Sequence, residues 1–215
     1  MNQITFGSLK SVAQVRRPTQ RALAKQRTRE KILAAAKTLF TERGYEGATI
    51  RDIAAGAGMS TGAVFASFTD KSDLFTEIVG EEHTALAGAM TAAAQGKPPL
   101  AGVEAMFEAA AERHMSDIAL FQATMSALWT PGLGSQVRSR FARTPVAALI
   151  QSALEAAVAK GDLPASANPE LVAETLWDSY TSGLRRAAHN GVGLAEVKRR
   201  LRDRIQLILA GARAA

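Results

Sequence analysis

The 215 residues are 47% hydrophobic, enough to bury a core, and contain no cysteine, which excludes disulfides, thiolate metal sites and cysteine nucleophiles. No apolar run reaches the roughly eighteen residues a membrane span needs, and the first residues lack a signal-peptide core, so a cytoplasmic chain without a membrane partner is expected. The net charge of +6 is gathered at the front: residues 1–31 hold eight Lys/Arg against one acid, Glu30, whereas residues 79–215 hold 14 basic against 13 acidic residues.

Alanine, leucine and arginine dominate and β-branched residues rarely alternate with polar ones, so the elements read as helices and the fold class as all-α. Residues 1–26 read as a basic arm, in which the three-residue spacing of Leu9, Val12 and Val15 is interrupted by Pro18. Such an arm is either the electrostatic footprint of a nucleic-acid partner or a solvated tail. A first helix is expected from near Arg27, with Ile32, Leu33, Ala36, Leu39 and Phe40 on one face and Arg43-Gly44 closing it. Thr49 followed by Asp52 reads as a capping box opening a short second helix that ends at Gly58. Ser60 caps a third, Thr61 to Phe68, and Asp70 and Asp73 open a fourth that runs to about Ala94. Beyond the Gly96-Lys97-Pro98-Pro99 loop, helices are expected near 100–114, 117–129 and 135–160. Asn168-Pro169-Glu170 is a strong helix start, and the helix it opens carries Val172, Leu176, Tyr180 and Leu184 at four-residue steps. A last helix, about 194–211, carries Leu194, Val197, Leu201, Ile205 and Ile208.

The second and third helices have the parts of a helix-turn-helix: a small residue at the crossing (Ala54), a turn residue tolerating positive φ (Gly58), and an apolar lock of Ile53, Met59, Val64 and Phe68. The stretch Thr28 to Phe75, with its Phe-x-x-Lys-x-x-Leu ending at Phe68, Lys71 and Leu74, resembles the DNA-binding domain of the tetracycline-repressor (TetR) family. That resemblance implies a homodimer, a palindromic operator, and release of DNA when a ligand enters a C-terminal helical core. It divides the chain into an arm (1–26), a helix-turn-helix domain (27–73) and a ligand-binding and dimerisation domain (74–215).

Carried onto this sequence, the DNA-contacting positions are Thr49, Arg51, Ser60, Thr61, Gly62, Ala63, Phe65, Ser67 and Lys71. Several depart from the family pattern: Thr61 stands where lysine is usual, Ala63 for threonine, Phe65 for tyrosine and Ser67 for histidine. The third helix therefore has no charged side chain, and Ala63 and Phe65 offer apolar surface suited to thymine methyl groups. Lys71 lies in a first helical turn, where a cation opposes the helix dipole. A phosphate between it and the free N–H groups is the favoured explanation, a surface lysine offset by Asp70 and Asp73 the plain one. Arg16, Arg17 and Arg21 are expected to track phosphates or enter the minor groove, the alternative being a tail without a role.

Past residue 85 the large side chains are few. Those at helical spacing are more often plain core, but Phe107, Phe121, Met125, Trp129, Trp177 and Tyr180 are the candidates for a pocket that takes a small, largely apolar effector, on the strength of the resemblance. The apolar stripes of the last two helices can face their own domain's core; the resemblance turns them toward a second copy, with Leu176, Leu184, Leu201, Ile205 and Ile208 at the interface, and both can hold on different faces. His83, His114 and His189 have no partner at metal-ligand spacing and read as exposed or locally bonded; no metal, no cofactor and no enzymatic motif is expected. The favoured function is a ligand-released repressor. Two others compete: an architectural or division-linked DNA binder of the same fold without a trigger, and a helical interaction protein whose arm binds anionic surfaces.

Overall fold

In the computed structural model, residues 19–141 and 146–214 are described. Among them the chain is helical throughout, in the order α1 (Gln20–Gly47), α2 (Ile50–Gly56), α3 (Thr61–Phe65), α4 (Lys71–Ala94), α5 (Pro99–Ser116), α6 (Ile118–Ala127), α7 (Leu133–Phe141), α8 (Val146–Ala159), α9 (Pro169–His189) and α10 (Leu194–Ala214).

Local chemistry explains most helix starts. Four N-caps accept the expected backbone N–H: Thr49 from Asp52, Ser60 from Ala63, Asp70 from Asp73 and Asn168 from Leu171. At α2 the box closes differently from the reciprocal form: the Thr49 hydroxyl donates to the Asp52 carboxylate at 2.8 Å, so Asp52 orients the cap. The start of α1 corrects the sequence reading, because the helix begins at Gln20 rather than near Arg27. Thr19 caps it by accepting the Ala22 N–H, while Pro18 lies outside the described residues. Gly44 (φ 71°) and Gly58 (φ 66°) take the left-handed conformation, each at the turn where a glycine was expected. The third helix is shorter than Thr61–Phe68: it ends at Phe65, and Ser67 and Phe68 close a turn onto the Val64 carbonyl. Of the helix expected over 135–160, α7 and α8 are described.

Two hydrophobic cores result. The first joins Ile32, Phe40, Ile53, Val64, Phe68 and Phe75 of α1–α4. The second is built by the C-terminal half of α4 with α5, α8, α9 and α10, around Met90, Phe107, Ile150, Leu176 and Leu201. Helix α6 belongs to both. Leu120, Ala123 and Ala127 pack into the first core, whereas Phe121, one residue round the helix, packs into the second. No helix among the described residues is long and apolar enough to cross a membrane.

Candidate functional site

The helix-turn-helix face is set by α2 and α3. The Met59 N–H bonds back to the Ala54 carbonyl at 2.8 Å, and Ile53, Ala54, Val64 and Phe68 are buried, so the two short helices hold one relative orientation. That orientation leaves Thr49, Arg51, Ser60, Thr61 and Gly62 exposed, with Ala63 and Ser67 half-buried. Phe65 is 56% exposed, an unusual position for a large apolar ring that has a core nearby. Arg21 is exposed in the first turn of α1, while Arg16 and Arg17 lie outside the described residues. Arg29 was missed in the sequence. Its guanidinium donates to the Ser67 carbonyl at 2.7 Å, covers the Phe68 ring at 4.0 Å and pairs with Glu77 at 3.0 Å, fastening the end of α3 to α1 and α4.

Lys71 has partners within the chain. Its Nζ turns away from its own helix start and donates to the carbonyls of Tyr45 (2.9 Å) and Ala48 (3.2 Å) at the end of α1, with the Tyr45 ring 4.2 Å beneath it. The cation thus serves the C-terminal, negative end of another helix, which resolves its apparent conflict with the dipole of α4.

The second feature is a cavity of about 570 Å³ between α4, α5, α6 and α9. Phe121, Met125, Trp129 and Trp177 line it; Trp129, 83% exposed, stands at its mouth. Phe107 and Tyr180 do not, a correction to the sequence reading. Both lie on inward helix faces, and their rings stack behind Trp177 at 6.3 and 5.4 Å as its support. The wall is more polar than an apolar effector would suggest, with His83, His114, Glu82, Arg113 and Asp117 contributing. His83 and His114 are not surface histidines. Burial holds His83 near 4; burial, helped by His83 and Arg113, holds His114 near 4, so both rings are neutral at pH 7. His114 Nδ1 lies 2.6 Å from the Tyr180 hydroxyl, whose own ionisation burial pushes well up. Below them Glu82 accepts from Arg113 (2.7 Å) and from Lys37 of α1 (2.6 Å), and Lys37 also approaches Asp117 at 3.5 Å. Burial alone would raise Glu82 and lower Lys37; their mutual pairing outweighs it and keeps both charged.

Residues 32–78 match the model of the bacterial regulatory proteins of the tetR family. That match runs from Ile32 of α1 through α2 and α3 into the first turns of α4, so this part of the chain is similar to those proteins. Over 60 residues it is 42% identical to the transcriptional repressor AcnR of Corynebacterium glutamicum, a match spanning 28% of this chain and 32% of AcnR. The matched part therefore covers about a third of that relative's length. Over the whole fold, the chain superposes on the fatty acid degradation regulator FadR of Bacillus halodurans with a TM-score of 0.76 at 17% identity, covering 86% of this chain and 96% of that one. FadR of Thermus thermophilus, solved with lauroyl-CoA, superposes with a TM-score of 0.64 at 26% identity, covering 83% and 93%.

The residues expected at a dimer interface need correction. Leu176, Leu184, Leu201 and Ile205 are each at most 3% exposed within a single chain, because the stripes of α9 and α10 face each other and α5 and α8. Only Ile208 of that set is half-buried. The large apolar residues these helices present outward are Leu171 (57% exposed) and Leu207 (74%). Each stands next to another apolar residue, Val172 or Ile208, so the sequence did not single it out.

Proposed function

We propose that this chain is a transcriptional repressor rather than a catalyst: a homodimer that grips a palindromic operator in duplex DNA through α2 and α3 and lets go when a small molecule fills the α4–α6–α9 cavity. The exposed, uncharged face of α3 supports apolar and hydroxyl readout of bases in the major groove, led by Phe65, Thr61 and Gly62, with Thr49, Ser60 and backbone amides on phosphates. Arg16 and Arg17 ahead of α1 and Arg21 in its first turn supply cations that α3 lacks. A second copy packs against the outer faces of α9 and α10, where Leu171 and Leu207 stand.

The observation that carries the ligand response is the double duty of α6. One of its faces is part of the helix-turn-helix core and the other lines the cavity, so a shift that admits a ligand moves the DNA-binding helices too. The cavity has the size of an ordinary small-molecule site. Its ionised wall suits a compact molecule with a polar end better than the long acyl chain bound by Thermus thermophilus FadR.

The experiment is selection of genomic fragments by the purified protein at about 0.15 M salt, followed by titration of the selected duplex with small molecules. Sequence-selective binding that a cavity ligand weakens, with DNA weakening that ligand by the same factor, is the expected result. Binding indifferent to sequence overturns the reading.

A further inference from the structure

The cavity wall holds an incomplete interaction. Among the described residues, Arg113 Nε stands out as a buried side-chain donor with no acceptor. The guanidinium meets Glu82 through one nitrogen, Nη2, at 2.7 Å, although its geometry suits a carboxylate taken by two parallel N–H groups. Glu82 meets it through Oε2 alone, while its Oε1 accepts from Lys37 of α1 at 2.6 Å. One carboxylate is thus shared between a cation of the cavity wall and a cation of the helix-turn-helix domain. Arg113 is the half-satisfied member, and about a third of its side chain is still exposed.

Resting on the reading of this cavity as the effector site, we propose that the effector is a compact aromatic carboxylate whose carboxylate draws the Nε–Nη2 fork of Arg113 away from Glu82, and that Glu82, left to Lys37, passes occupancy to α1. Aromatic character follows from Trp177 and Phe121, which flank the uncharged rings of His83 and His114. The sign of the charge follows from the unmet group, which is a donor and gains nothing from an ammonium. Besides Glu82 the wall holds two acids, Asp178 and Asp117, the second already committed to the Leu120 N–H and Lys37.

Three isosteric probes test this by quenching of the cavity tryptophans: 2-naphthoate, 2-naphthamide and 2-naphthylmethylamine. Naphthoate should bind at least tenfold tighter than the amine and tighter than the amide. Arg113→Gln should reduce that preference to under twofold, and Arg113→Lys, a point charge without the fork, should retain only part of it. Glu82→Gln removes the competitor, so naphthoate should bind at least threefold tighter. Lys37→Met leaves Glu82 wholly to Arg113, so naphthoate should bind at least threefold weaker, although Lys37 is not in the cavity wall. In the Glu82→Gln background Lys37→Met should change nothing. Circular dichroism melts establish that each variant is folded, and Arg113→Lys stands in if Arg113→Gln is not. Equal binding of the probes, a preference for the amine, or a preference that survives Arg113→Gln overturns the proposal while leaving the cavity a ligand site. Weaker naphthoate binding in Glu82→Gln, or no effect of Lys37→Met, overturns the Glu82 competition. If no probe binds at millimolar concentration, the cavity reading falls with it.

Discussion

The ammonium of Lys71 sits 4.2 Å above the ring of Tyr45 and donates to that residue's own carbonyl at 2.9 Å, so one side chain closes the end of α1 onto the start of α4. A charged hydrogen bond and a cation–π contact at a half-buried site contribute about 1–2 kcal/mol together. Lys71→Met should lower stability in urea by that amount while leaving the salt dependence of DNA binding as it is. A slope shallower by about one unit per subunit, with stability unchanged, would return Lys71 to the phosphate role.

Leu201 is buried and Leu207 exposed on different faces of α10. Truncating the buried one, Leu201→Ala, should cost about 2–5 kcal/mol of stability in the manner of a core cavity. Charging the exposed one, Leu207→Glu, should halve the mass seen by light scattering without loss of helix content. Monomers produced by Leu201→Ala at unchanged stability would restore the interface first read from the stripe.

Both cavity histidines have folded pKa values near 4, below the ordinary value of 6.5. The unfolded chain therefore takes up protons first as pH falls. Their contribution to stability is present above pH 6.5, erodes between 6.5 and 4, and falls no further below that. The melting temperature should drop through this window, with the histidines alone responsible in its upper part, above about pH 5.5. In His114→Gln, which keeps a polar side chain near Tyr180, the slope should flatten. An identical slope in wild type and variant would show that His114 is not buried neutral.

Phe65 and the residues ahead of α1 make opposite demands on DNA binding. Phe65→Ala removes exposed apolar surface, so stability should stay within about 0.5 kcal/mol, while operator affinity falls about tenfold, ~1.4 kcal/mol, with an unchanged salt slope. Deleting residues 1–18 removes Lys10, Arg16 and Arg17, so affinity should fall about tenfold with a shallower slope. Equal slopes in the two variants would count against division of labour between α3 and the arm.

Local signals were legible in the sequence because their partners are three or four residues away. Thr49, Ser60, Asp70 and Asn168 cap helices by bonding a backbone N–H three residues on, and such a bond forms in whatever tertiary setting the segment meets. Gly44 and Gly58 announce left-handed turns for the same reason. The cavity residues Phe121, Met125, Trp129 and Trp177 could be chosen from the sequence as a group because few large side chains occur in that region, but the sequence held nothing to separate them from Phe107 and Tyr180.

What the tertiary structure decided are relationships across long separations in the chain. Lys37 and Glu82 are 45 residues apart, Glu82 and Arg113 are 31, and their meeting depends on how α1, α4 and α5 turn about their axes when packed. The same holds for the apolar stripes of α9 and α10. A periodic pattern fixes that one face of a helix is buried, yet it is silent on whether the covering surface is the same chain or a second copy. Here α5, α8 and the two helices themselves cover Leu176, Leu184, Leu201 and Ile205, and only packing could decide that, since hydrophobic burial is indifferent to which chain removes the water.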